Sequence, residues 1–584
     1  MQTIQAILES RLCAAVGDSG DVPVVVQSAA DTRFGDYQSN VAMQLAKVRR
    51  ANPRAVAQDI VGRIDVSDLA EPPEIAGAGF INFRVKPAAW TSHFAQVAHD
   101  AKLGLPEARA RRFVIDFSSP NVAKPMHVGH IRSTILGDAL ARIARFLGHT
   151  VITDNHIGDW GTQFGILCLA WKTIRNEEAL ARDPIAELER IYKLQNEQCK
   201  SDPAAIEAAR RELVKLQSGD EENFAIWEEM LRLSQTQFDE IYARLGIQFD
   251  HTLGESFYNR WLKEVVTDLE AKGIARESEG ARCVFSDGTL PEKDDPFLIK
   301  DAEGWKPAPA LVQKADGAAN YTTTDLATLA YREREFAPDE VIYVTDGRQQ
   351  LHFRQLFAIW RRWKPESRMK LAHVWFGSIL GEDGKPFKTR SGDTVKLSDL
   401  LDEAEERAFA VVTEKNPELP EIERREIAKS IGLGAVKYAD LQSNRQGDYI
   451  FSWDRMLSLQ GNTAPYLQNA YVRIRSIFRR AQEAGITISG KERLQFTDEA
   501  ELALLRKLAQ FGEILPTVLD DYRPNILCSY LFETAKAFHA FFESCPVLKA
   551  DEPVRSSRLK VCEATGRVLE KGLSLLGIAV PERM

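Results

Sequence analysis

The sequence has no run of about 18 apolar residues, so nothing in it reads as a membrane-spanning helix. Met1 to Leu12 carries Glu9 and no basic cluster ahead of an apolar stretch, so it reads as a helix start and not as a secretion signal. Seven cysteines are scattered without a Cys-x-x-Cys pair, which speaks against a disulfide framework and against the common zinc motifs. Reduced thiols in a cytoplasmic protein are the expectation. Tandem repeats and low-complexity segments are absent too. So is an excess of positive charge: the net charge is −9, which does not advertise a nucleic-acid binder. The acidity is uneven, however. From Asp440 onward acids and bases nearly balance, and Arg473, Arg475, Arg479 and Arg480 crowd two helical turns. That cluster fits a solvated helix face as well as a phosphate-binding one.

What is present is an ordinary globular composition, 44% hydrophobic and 27% charged. A chain of 584 residues has room for about three to five domains. The most informative stretch runs from Phe113 to His149. Phe113-Val114-Ile115-Asp116-Phe117 reads as a buried strand. A loop with two prolines follows, and then Ile131, Ile135, Leu136, Ala139, Ile143 and Leu147 recur at the spacing of one helix face, with Gly148 as a natural stop. His127-Val128-Gly129-His130 therefore sits where a strand hands over to a helix N-terminus. Free backbone N–H groups there attract phosphate. Two histidines three apart share a face and can donate to phosphate oxygens, and Gly129 leaves room for a flat base. Zinc pairs on helices usually sit four apart with a third ligand near, and no Cys or acidic cluster supplies one, so no metal site is read here.

Residues 1–110 read as a separate α+β unit, with helices at Gln5–Leu12 and Asn40–Lys47 and a short strand at Val24–Val26. In Gly77 to Val85 the alternation places Ile81, Phe83 and Val85 on one side and Phe80, Asn82 and Arg84 on the other. Leu105 to Arg112 reads as a charged linker. Thr150–Asp154, Val341–Val344 and His373–Phe376 read as further core strands, each followed by a polar loop where functional groups are expected. The charged helical stretch from Asn176 interrupts the β-α alternation and reads as an insertion. From Leu397 the pattern is helical: 399–413, 421–433, 464–484, 499–519, 526–542 and 554–576.

Five strings together resemble the arginyl-tRNA synthetase family of the class I aminoacyl-tRNA synthetases. They are Ser119-Pro120-Asn121-Val122-Ala123-Lys124-Pro125-Met126-His127-Val128-Gly129-His130, Tyr321-Thr322-Thr323-Thr324-Asp325, Gly384-Lys385-Pro386-Phe387-Lys388-Thr389-Arg390-Ser391-Gly392, Gln460-Gly461-Asn462-Thr463-Ala464-Pro465-Tyr466 and the terminal Pro581-Glu582-Arg583-Met584. The resemblance spans essentially the whole chain. It implies a Rossmann-type parallel-sheet catalytic domain at 111–396 with a helical insertion at about 176–275. It also implies an N-terminal domain at 1–110 touching the tRNA elbow and an all-α anticodon-binding bundle at 397–584. The implied reaction joins L-arginine to tRNA(Arg): ATP, as its Mg²⁺ complex, forms arginyl-adenylate in a tRNA-dependent step, and the arginyl group passes to the terminal ribose 2′-hydroxyl. No prosthetic group and no membrane partner are implied, and a monomer is expected.

By the same resemblance, His127, Gly129, His130 and Lys124 meet ATP. Ser119, Pro120, Asn121, His130 and Gln349 hold the amino-acid end of arginine, and Tyr321, Asp325 and Glu255 its guanidinium. Lys388 and Arg390 stand where most class I enzymes carry Lys-Met-Ser-Lys-Ser. This degenerate loop leaves the pyrophosphate short of a lysine, and Lys124 is expected to stand in. Phe80, Asn82, Arg473 and Arg475 are expected on tRNA, Phe80 by stacking on an unpaired base. Two other readings stay open on the residues alone: an adenylyltransferase sharing the His-x-Gly-His loop, and a non-catalytic RNA-binding paralogue.

Overall fold

The computed structural model describes residues 1–29, 31–387, 394–486 and 494–584. Lys388 and Arg390 therefore lie outside the described residues. The chain forms two compact units. One comprises Ala110–Met456 with Leu575–Gly577, and the other Met1–Arg109, Leu457–Ser574 and Ile578–Met584.

The first unit is built on four parallel strands: β1 (Arg112–Phe117), β2 (Thr150–Asp154), β3 (Glu340–Val344) and β4 (Lys370–His373), in the order β4-β3-β1-β2. β1 pairs with β3 from Phe113–Glu340 to Phe117–Val344 and with β2 from Arg112–Thr150 to Asp116–Asp154. Strands buried on both faces should be largely apolar runs; β1 and β3 are, apart from Arg112, Asp116 and Glu340, and buried Asp116 is paired with Arg332. The last strand departs from expectation. It occupies Lys370–His373, not His373–Phe376, because Phe376 leaves the ladder to form a single bridge with Asp346.

Helix α1 (Val128–Phe146) crosses from β1 to β2. It lies against β1 because Gly137 has no side chain: a Cβ there would stand 2.2 Å from Cγ of Phe117. Helices α2 (Tyr321–Phe336) and α3 (Gln350–Trp363) flank β3 and share one apolar core with the sheet, through Leu326, Leu329, Leu356 and Trp360 against Val114 and Val341.

The connection from β2 to β3 carries the helical insertion: Glu177–Arg182, Pro184–Ser201, Pro203–Gln217 and Glu221–Leu245, then Asn259–Ala271. Small antiparallel sheets follow it, from Ala275 onward, where the expected insertion ends. Ala275–Ser278, Ala281–Val284 and Ala310–Gln313 form one, and Leu298–Asp301 with Gly304–Pro307 the other. Helices Leu397–Lys415 and Glu421–Leu441, grouped by sequence with the C-terminal bundle, belong to the compact unit of the parallel sheet.

The second unit joins chain ends. Its N-terminal part has helices Ile4–Val16, Val41–Arg49, Pro53–Val61 and Pro87–His99 and a four-stranded sheet in the order Gln27–Ser28, Tyr37–Ser39, Phe80–Phe83, Glu74–Ala76. The edge strand is Gln27–Ser28, not Val24–Val26. The C-terminal part is helical: Ala464–Glu483, Glu499–Ala509, Phe511–Thr517, Asn525–Ser544 and Val554–Leu575. The single helix expected over 499–519 is broken at Gln510, with Pro516 in its second piece. Buried Glu513 accepts hydrogen bonds from the Tyr37 hydroxyl at 3.0 Å and the Gln5 amide at 3.1 Å, and burial pushes its carboxyl up to about 7.

Candidate active site at the carboxyl ends of the parallel strands

The loops leaving β1, β2 and β3 meet at one edge of the sheet, the edge where open α/β sheets bind ligands. After β1 the backbone is strained. Ser118, Ser119 and Ala123 all have positive φ, at 75°, 49° and 62°. A non-glycine residue there costs roughly 1–3 kcal/mol and persists only where its surroundings hold it. They do. The Ser118 amide donates to Ser133 Oγ and Ser119 N to Asn155 Oδ1, while Ser119 Oγ reaches Asp116 Oδ1 at 3.1 Å. Pro120 O and Val122 N exchange hydrogen bonds with Gly158, and a Cβ at Gly158 would meet Asn121 Oδ1 at 2.3 Å. Exposed Asn121 is thus presented by a loop that its neighbours clamp.

The same loop runs into α1. His127 is the N-cap: its Nδ1 accepts from Gly129 N at 3.0 Å, and His130 Nδ1 accepts from His127 N at 3.1 Å. A nitrogen that accepts from a backbone N–H carries no proton of its own, so both neutral rings hold theirs on Nε2, which remains available to donate. Burial pushes the His130 imidazole down to about 3. Burial lowers His127 as well, with the charges of Arg348 and Lys124 adding to the effect. The pair therefore works as two neutral donors and not as a double cation. One expectation is corrected here. The space above Gly129 is taken by the His127 ring, since a Cβ would lie 2.7 Å from its Cε1, and is not left for a base. Lys124 is half-buried, its ammonium 5.1 Å from the centre of the Tyr192 ring, and burial lowers its pKa. The flanks of the Lys388–Arg390 loop are tied down: Phe387 N donates to Ile379 O, and Val395 and Leu397 pair with Val128 and Met126.

A second group gathers carboxylates. Asp325 lies one turn after exposed Tyr321 on α2. His352, on the first turn of α3, approaches Asp325 Oδ2 with Nε2 at 2.6 Å, and the Tyr321 ring meets the His352 ring edge-on at 4.7 Å. Half-buried Glu255 follows Gly254, whose missing side chain makes way for the carboxylate of Asp159. Asp159 accepts from Ser256 N at 2.8 Å and Ser256 Oγ at 2.6 Å, which fixes the turn. Burial pushes the Glu255 carboxyl up to about 7; His156 opposes this, and the charges of Asp325 and Asp159 add to it. The charge of Asp325 thus reaches Glu255, as it would for two acids placed to face one cation. Beneath them Arg332 is fully buried between Asp116 at 2.6 Å and Asp154 at 2.8 Å. Gln349 is exposed at the start of α3, one turn before His352. His352, Asp159 and Arg332 belong to this group and were not read from sequence. No motif marks them, and only the fold brings them to the carboxylates.

The residues expected on tRNA fall in the second unit and divide. On the face read as open, Asn82 is buried, with Oδ1 lacking a hydrogen-bond partner, while Phe80 is half-buried and Arg84 exposed. Arg475 is paired with Glu582 at 2.9 Å. Arg473 lines a basic groove with Arg479, Arg480, Lys549 and Arg583, its guanidinium 5.1 Å from the centre of the Phe542 ring.

The parallel sheet with a paired-histidine helix start at its carboxyl edge lies in a stretch, residues 94–453, that matches the family model described as the class I (R) tRNA synthetase catalytic domain. Models for the arginyl-tRNA synthetase N-terminal domain and the DALR anticodon-binding domain match 2–85 and 467–584. The chain belongs to the arginyl-tRNA synthetase family. It is 44% identical to the arginine–tRNA ligase of Chromobacterium violaceum and 45% identical to that of Hahella chejuensis, in each case over 100% of both chains. The crystal structure of arginyl-tRNA synthetase from Plasmodium falciparum is similar over 100% of both chains, at 27% identity and a TM-score of 0.83.

Proposed function

We infer that this chain charges tRNA(Arg) with L-arginine in two steps at the site described above. The observation that carries this reading is the pairing, at one sheet edge, of two neutral histidine donors at a helix N-terminus with two carboxylates, Asp325 and half-buried Glu255. The first suits a nucleotide's phosphates and the second a guanidinium. In the first step a carboxylate oxygen of arginine attacks the α-phosphorus of ATP, the bond to the bridging oxygen breaks, and pyrophosphate leaves with Mg²⁺. In the second the 2′-hydroxyl of the terminal ribose attacks the adenylate carbonyl and AMP leaves. The protein forms no covalent bond, so positioning and charge stabilisation carry the catalysis.

In this reading His127 and His130 donate through Nε2 to phosphate oxygens beside the Gly129 amide. Lys124, with Lys388 and Arg390, offsets the charge developing on pyrophosphate. Ser119, Pro120, Asn121 and Gln349 orient the α-amino and carboxylate groups, and Tyr321, Asp325 and Glu255 take the guanidinium. Among the described residues no three His, Cys, Asp or Glu side chains gather as metal ligands do, and Mg²⁺ is taken to arrive on ATP. Residues 1–110 contact the tRNA elbow, Phe80 being the stacking candidate once Asn82 is set aside. The helical C-terminal part takes the anticodon along the groove of Arg473. The enzyme acts as a cytoplasmic monomer. Among the described residues no helix is long and apolar enough to cross a membrane.

ATP–pyrophosphate exchange tests this directly. Exchange that requires arginine and tRNA(Arg) together is expected. Exchange driven by another amino acid, or by a small acid without tRNA, overturns the reading in favour of a different adenylating enzyme.

A further inference from the structure

The exposed pole of the carboxylate group is held from an unexpected side. Asp325 lies on α2, but its Oδ2 is engaged at 2.6 Å by Nε2 of His352 on α3. Both side chains are mostly enclosed, at 19% and 12% exposure, so the contact is sheltered while a route to the carboxylate stays open. Tyr321 braces the imidazole edge-on, and Phe353 packs on it with ring centres 5.1 Å apart. A carboxylate on a free side chain rotates about its last torsion, whereas a guanidinium fork needs it in one plane. A hydrogen bond to one oxygen fixes that plane and leaves the second oxygen, and the remaining lone pair of the first, for the ligand. The donor must also leave the negative charge in place. An arginine or lysine there would cancel it, while an imidazole N–H donates without a permanent charge.

We propose that His352 is a positioning residue for substrate selection, which sets the plane of the Asp325 carboxylate for the guanidinium. The proposal rests on the reading of Asp325 as the guanidinium partner. His352 acts through Asp325 and touches neither ATP nor the reacting carboxyl group, so its removal acts on arginine binding alone.

The test is steady-state exchange with saturating tRNA. His352→Phe keeps the ring and removes the donor, and should raise the arginine KM about ten- to a hundredfold, the range for a hydrogen bond to a charged group. The KM for ATP and kcat should stay within about twofold of the parent. His352→Gln restores an N–H near the Nε2 position and should return the arginine KM to within about threefold. In an Asp325→Asn background, His352→Phe should change the arginine KM by less than about twofold, because the two act as one unit. If the Phe variant is insoluble, His352→Leu replaces it with the same expectations. An unchanged arginine KM, a parallel loss in ATP KM and kcat, or a Gln variant as impaired as the Phe variant each overturns the proposal. Asp325→Asn alone separates the two layers. If it leaves the arginine KM unaltered, the guanidinium assignment itself falls. If it raises the KM while His352→Phe does not, only the role of His352 falls.

Discussion

If Glu255 pairs with the guanidinium as proposed, arginine binding should depend on pH in a calculable way. Its carboxyl is pushed up to about 7 from the ordinary 4.5, first by burial and then by the charges of Asp325 and Asp159. A group at 7 is about 90% ionised at pH 8 and about 10% ionised at pH 6, so the form that can pair with a guanidinium falls about ninefold over that interval. A carboxyl at its ordinary value would change by only a few per cent. The arginine KM should therefore rise about ninefold from pH 8 to pH 6 if the neutral acid does not bind. At pH 7, about half a proton should leave for each arginine taken up.

Stability responds in the opposite direction. The folded chain holds this proton more tightly than the unfolded one, so Glu255 contributes stability at low pH that is lost as pH climbs from about 4.5 through about 7. Arginine, by pairing with the ionised group, should raise the melting temperature more at pH 8 than at pH 6. The assays are arginine KM in pyrophosphate exchange across pH 6 to 8, and calorimetry in two buffers of different ionisation heat. Glu255→Gln should have a high KM at every pH. A flat KM in the parent, or a slope that survives in Glu255→Gln, refutes the reasoning.

Three further outcomes are expected. Asp325→Ala should raise the arginine KM by about ten- to a hundredfold, the loss of a charge-assisted bond worth about 1.5–3 kcal/mol, and an unchanged KM would remove Asp325 from the guanidinium site. Lys124→Ala should lower kcat for adenylate formation about 10²-fold with little change in arginine KM; near-normal kcat here, with Lys388→Ala or Arg390→Ala inactive, would leave the pyrophosphate to the later loop. Gly137→Ala would drive a methyl group into the Phe117 ring and should cost about 1–3 kcal/mol, read as a lower melting temperature.

The elements legible in the sequence were those whose pattern is set locally. Phe113–Phe117, Thr150–Asp154 and Val341–Val344 are short apolar runs bounded by polar loops and stand almost where they were read. Val128–Phe146 shows its face in the spacing of its apolar residues. What stayed hidden was set by partners far along the chain. His373-Val374-Trp375-Phe376 looks like a strand, yet pairing with Glu340–Tyr343 selects Lys370–His373. Asn82 alternates like a surface residue and is covered all the same. The His-x-Gly-His string marks the start of the helix that follows the first strand, as its spacing suggests. The imidazole protons on Nε2, by contrast, follow from two backbone hydrogen bonds that no composition encodes. His352 could not be found without the fold, since its meaning comes from Asp325, 27 positions earlier on another helix.

The order in which the strands lie in space has a consequence for how the chain is born. The two central strands, β1 and β3, are separated by more than 200 residues of chain. At roughly 5–20 residues per second, a ribosome needs about 10 seconds or more between releasing the first and releasing its neighbour. Throughout that interval the apolar edge of Phe113–Phe117 that β3 will cover stays open. The chain ends wait longer still. Tyr37 finds the carboxylate of Glu513 only after 476 further positions have been made. The nascent N-terminal part must therefore stay soluble through nearly the whole of synthesis without the helices that complete its unit. Truncated or stalled products should be the forms of this protein that chaperones hold.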